Sequence, residues 1–61
     1  MSENNIARGL QKKFPDIGYQ MLLNMVRKAK GTAAILKRES PDRKFNDILR
    51  EETEKIIREK F

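Results

Sequence analysis

Neither cysteine nor histidine occurs among the 61 residues of this chain. The two absences remove disulfides, thiolate nucleophiles and imidazole metal ligands together. Proton transfer at neutral pH would fall to carboxylates, lysines or the single Tyr19, without the side chain best suited to it. The glycines, Gly9, Gly18 and Gly31, stand far apart and form no phosphate loop. These gaps point away from an enzyme and away from any cofactor or bound metal. Valine appears once, at Val26, and no β-branched run alternates, so nothing reads as a strand. No apolar run approaches the roughly 18 residues of a membrane span, and residues 1–20 hold no secretion-signal core. The expectation is a soluble intracellular protein of the cytoplasm or nucleoid.

Small size is a further limit. One domain over residues 1–61 is all the length allows, and a chain this short buries only about 60% of its unfolded surface. With disulfides and metal excluded, a homodimer is the expected support for so thin a core.

What the sequence does hold is charge, unevenly placed. Residues 1–40 carry eight Lys/Arg against Glu3, Asp16 and Glu39, a net of +5, whereas residues 41–61 carry six bases and six acids. A field confined to one part of a small protein suits a polyanion, whereas mixed charge serves solubility.

All the periodicity is helical. Ile6, Leu10 and Phe14 recur every four residues on a first helix expected over 3–13, capped by Ser2 and stopped by Phe14-Pro15. Pro15-Asp16-Ile17-Gly18 reads as a turn, with Asp16 as the cap of the next helix. Tyr19, Leu22, Met25, Val26 and Ala29 share an arc that Ala33 and Leu36 continue past Gly31. Gly31 either ends that helix or is carried within it at a cost of about 1 kcal/mol. The unbroken arc favours one helix over 18–39. Ser40-Pro41 then suits the N-cap and first position of a last helix over 41–60, with Phe45, Ile48, Leu49 and Ile56 on one face. Glu51/Lys55 and Glu54/Arg58 lace its surface at i,i+4. The fold class is all-α: a short helix followed by two long ones in an αα-hairpin, a three-helix arrangement expected to dimerise.

The residues that stand out chemically are Arg27, Lys28, Lys30, Lys37 and Arg38, with Lys12 and Lys13 before the turn. Arg27 and Arg38 lie opposite the apolar arc with Gln20, Asn24 and Ala34, and Gly31 and Ala34 keep that face flat. The functional reading is nucleic-acid backbone binding, DNA before RNA, driven by counterion release. The plain alternative is the solvated face that any such helix needs. A helix-turn-helix does not fit: with Gly31 as its turn glycine, Arg27 takes a small buried position, and Lys37 and Ser40 take apolar ones.

The segment Phe14-Pro15-x-Ile17-x(4)-Leu22-x(2)-Met25-Val26-x(4)-Gly31 resembles the front of a CUE/UBA-like three-helix module. The resemblance covers about a third of the chain. It implies a helix break at the glycine and ubiquitin recognition through Phe14-Pro15 and a terminal di-leucine. Departures are Lys13 in place of an apolar residue, Ile35-Leu36 arriving several residues early, and an extra helix. The rival function is therefore a protein–protein adaptor or inhibitor using Phe14, Pro15 and the C-terminal apolar tip.

Phe45, Glu52, Ile56, Ile57 and Phe61 form the expected partner or dimer interface. Glu52 interrupts the last apolar arc, either to meet a basic residue across a dimer or because the helix packs only through its first half. The second is favoured. Ile57 and Phe61 leave the main arc by more than a quarter turn and are expected to be exposed. Asp47, Glu51 and Glu54 share a face that suggests a cation, yet Arg50, Lys55 and Arg58 are the expected partners. Tyr19–Lys30 is basic and amphipathic, but its apolar side is needed for the core, so no membrane role is expected.

Overall fold

The computed structural model describes residues 3–61 and contains three helices: α1 (Glu3–Lys13), α2 (Tyr19–Glu39) and α3 (Phe45–Lys60). No strand occurs among the described residues, and the expected Ser2 cap lies outside them. No described helix is long and apolar enough to cross a membrane.

α1 buries Ile6, Ala7 and Leu10 and ends where the sequence places its stop. The Phe14 amide still donates to the Leu10 carbonyl at 2.7 Å, but Pro15 has no N–H to continue the ladder. The corner closes through Ile17 N–H donating to Phe14 O at 3.1 Å and the Gln11 side-chain amide donating to the Ile17 carbonyl. Ile17 is thereby turned into the core. Asp16 does not cap α2. The N-cap is Gly18, in extended backbone with no side-chain capping bond. Asp16 stands two residues upstream of it, outside the position from which a carboxylate reaches the first free amides.

α2 runs through Gly31 as one helix. Ala33 is fully buried and Leu36 half-buried, so the apolar arc continues as its spacing predicts. The Gly31 break implied by the CUE/UBA resemblance is absent.

The start of α3 corrects the sequence reading. Ser40-Pro41 does not open a helix. The Arg43 amide donates to the Ser40 carbonyl at 3.1 Å, which closes a four-residue turn with Pro41 at its second position. A proline-fixed φ suits that position as well as the start of a helix. Helical bonding begins only when Ile48 N–H reaches the Lys44 carbonyl at 3.1 Å. Lys37 holds the connection by donating to the Pro41 carbonyl at 2.8 Å and to that of Arg43.

α2 is the central element. It shares its largest interface with α3 and a smaller one with α1, while α1 and α3 touch least. Leu22, Val26, Ala29 and Ala33 of α2 share one core cluster with Ile48 and Leu49 of α3 and with Ile6, Ala7 and Leu10 of α1. Burying each larger aliphatic contributes about 1.5–3 kcal/mol.

Two expectations for α3 are overturned. Ile57 is only 2% exposed, so it is a core residue and not a free interface residue. The single-arc reading assumed one neighbour, but Ile57 also faces the corner at Phe14, Pro15 and Ile17. Nor does packing stop at Glu52. Thr53 is fully buried, its hydroxyl donating to the Leu49 carbonyl at 2.8 Å, and Ile56 packs against the core beyond it. That local bond lets a hydroxyl enter the core without an unsatisfied donor. Phe61 remains 70% exposed, as its position on the helix predicts.

Candidate nucleic-acid interface

The seven cations singled out by the sequence divide into distinct environments. Arg27 and Lys30 converge on one carboxylate from α1. Lys30 Nζ lies 2.8 Å from Glu3 Oε2 and Arg27 Nε lies 3.6 Å from Glu3 Oε1. The Lys30 hydrogen bond, helped by the charges of Lys30 and Arg27, holds the Glu3 carboxyl below its ordinary range. Lys13 Nζ is 3.2 Å from Glu54 Oε2, tying the end of α1 to α3. Lys37 is spent on the carbonyls of the α2–α3 connection.

Lys12, Lys28 and Arg38 are exposed and form no ion pair among the described residues. Position explains two of them in part. Lys12 and Lys13 occupy the last turn of α1, and Lys37 and Arg38 the last turn of α2, where cations complement the helix dipole. Lys28 has no such role. It borders a shallow depression with Met21, Asn24 and Lys60.

The solvent face of α2 is the structure's main electrostatic feature. Gln20, Asn24, Arg27, Lys28, Gly31, Ala34, Ile35 and Arg38 are all exposed, and no acid occurs between Tyr19 and Arg38. Gln20 and Asn24 hydrogen-bond to each other at 3.3 Å. A Cβ at Gly31 would meet no atom of a packed neighbour within 4 Å, so internal packing does not require glycine there. Exposed Ile35 was not among the expected site residues, although its place beside Gly31 follows from the same helical spacing.

α3 is arranged differently. Arg43 pairs with Glu51, Lys55 with Glu52 at 2.9 Å, and Arg58 with Glu54 at 3.4 Å. The expected Glu54/Arg58 pair forms. Glu51/Lys55 does not, because Arg43 from the connection takes Glu51 and Glu52 takes Lys55. Arg50 has no acidic partner among the described residues. Glu52 is thus answered within its own helix, with its side chain 14% exposed. No described group of three or more acids could hold a metal ion.

Of the expected interface residues, Phe45 and Ile56 are half-buried against the core. Phe61 stands beside an open groove lined also by Phe14, Pro15 and Ile17. No protein-family model matches the sequence, and neither a curated protein nor a solved structure matches it.

Proposed function

We propose that this protein is a small, non-catalytic nucleic-acid-binding regulator that lays a phosphate backbone along the solvent face of α2. The observation that supports it is the acid-free run of that face from Gln20 to Arg38. Lys28 and Arg38 supply the contacts together with Arg27, whose contact with Glu3 is the longer of that carboxylate's two, and Lys12 extends them onto α1. Lys13, Lys30 and Lys37, already engaged internally, shape the field more than they touch the ligand. Flatness at Gly31 and Ala34 favours close approach of a backbone, and duplex DNA is the preferred form. Two copies joined through Phe61 and Ile56 would double the phosphate contacts, and the protein would act in the cytoplasm or nucleoid.

Fluorescence anisotropy with a short duplex and its matched single strand tests the reading. Binding that survives physiological salt, with a steep salt slope, is the expected result. Binding that vanishes there reflects a basic protein and nothing more, and sinks the proposal.

A second reading rests on the groove at the corner. Phe14, Pro15 and Ile17 line it with Ile57, and Phe61 stands 70% exposed beside it. An adaptor using that groove would be insensitive to reversal of Lys28 and Arg38 and sensitive to Phe61→Ala.

A further inference from the structure

Glu3 does more than pair with a lysine. Its two carboxylate oxygens are divided between two cations of α2, one facing Arg27 and the other Lys30. The three side chains border a cleft that runs from the start of α1 to the start of α3. Asn4 and Asn46 add side-chain amides to its wall, and Phe45 and Leu49 form an apolar floor. Glu3 is the only acid that lines it. The cleft measures about 360 Å³ with the carboxylate in place, and two cations and two amides border it. Carboxylate and phosphate oxygens are both held by charge-assisted contacts from arginine and lysine. The Glu3 carboxylate therefore stands where an external oxyanion would be bound.

We propose that this cleft is a phosphate-monoester site which Glu3 occupies in the free protein, as a built-in competitor. An incoming phosphate exchanges with the carboxylate at Arg27 and Lys30, and the displaced Glu3 turns to solvent. The exchange is feasible because Glu3 is one-third exposed and both cations are about half exposed, so neither ion pair is locked by burial. The inference goes beyond the nucleic-acid reading and does not need it.

The test is a titration of wild-type protein and Glu3→Gln with inorganic phosphate, followed by amide chemical shifts at ionic strength matched with chloride. Glu3→Gln should bind phosphate more tightly by up to about fivefold, the upper end of what an exposed ion pair corresponds to. The largest shifts should fall at Lys30, Phe45 and Asn46. Arg27→Gln with Lys30→Gln should abolish the binding in both the Glu3→Gln and the wild-type backgrounds. The wild-type arm keeps the test decisive if Glu3→Gln disturbs the fold.

Equal affinity of wild type and Glu3→Gln would overturn the proposal, as would shifts centred away from the cleft. A 5′-phosphorylated strand compared with its 5′-hydroxyl counterpart identifies the source. Preference for the former assigns the site to strand ends, and no preference alongside phosphate binding assigns it to small phosphate esters. Duplex binding that fails while the phosphate response persists removes only the α2-face reading.

Discussion

α2 and α3 are both amphipathic and lie against each other, yet they handle charge in opposite ways. In α3, Glu52 and Glu54 are met by Lys55 and Arg58 a turn away, and Glu51 by Arg43 just before the helix. Its pairs are largely local, although Glu54 also reaches Lys13 of α1. α2 holds no acid before Glu39, so its cations find partners only in other parts of the fold. Glu3 serves Arg27 and Lys30, the connection serves Lys37, and Lys28 and Arg38 are left to solvent. A helix that neutralises itself can pack anywhere its apolar face fits. One that does not either draws in neighbouring acids or presents a field to an external ligand.

The strongest way to break the comparison is to remove the packing that both helices share. Ile57→Ala should cost about 2–4 kcal/mol in urea unfolding, because it empties a site closed by the core and the corner. Phe61→Ala, four residues on but exposed, should stay within about 0.5 kcal/mol. A similar loss for both would mean that the corner does not cover Ile57.

Charge reversal addresses the difference itself. Lys28→Glu with Arg38→Glu should weaken duplex binding by more than about tenfold and lower the salt slope by roughly two phosphates. Arg50→Glu with Lys55→Glu, the same charge change on α3, should leave binding within about threefold. Equal losses from the two pairs would show that only net charge matters.

Gly31→Ala sharpens the comparison at one residue. No atom opposes a Cβ there, so the protein should gain about 0.5–1 kcal/mol in thermal unfolding. Weaker duplex binding by the same, more stable variant would show that the ligand comes close to the α2 backbone. Unchanged binding would place the contact elsewhere on the face.

The smallest effect concerns the bond between α1 and α2. A carboxyl held below its ordinary range contributes stability that is fully present above its unfolded value, near 4.5. That contribution disappears as the pH falls through the lower folded value. Acid titration of Glu3→Gln should therefore show a shallower loss of stability below about pH 4.5 than wild type. Identical curves would mean that Glu3 does not favour the folded state.

Much of the fold is legible from spacing and stop signals. Repetition of Ile6, Leu10 and Phe14 before Pro15 marks α1, and the arc from Leu22 to Leu36 carries α2 through Gly31. Single-helix periodicity could not place Ile57 or Thr53, because it assumes one neighbour and α3 has two. The candidate site was legible only as a set of cations. Which of them are free depends on Glu3 and Glu54, residues 24 or more positions away from Arg27 and 41 from Lys13.

By itself, the sequence determined the helical class and the location of excess charge and favoured a continuous central helix, since each follows from contacts within a few residues, while continuity at Gly31 itself was settled only by the fold. Tertiary structure alone decided where α3 begins, because a proline after serine suits a turn as well as a helix start. It also decided which apolar residues at the C-terminal end are covered and which cations remain unpaired. Burial and ion pairing depend on which surfaces meet, and no local spacing encodes that.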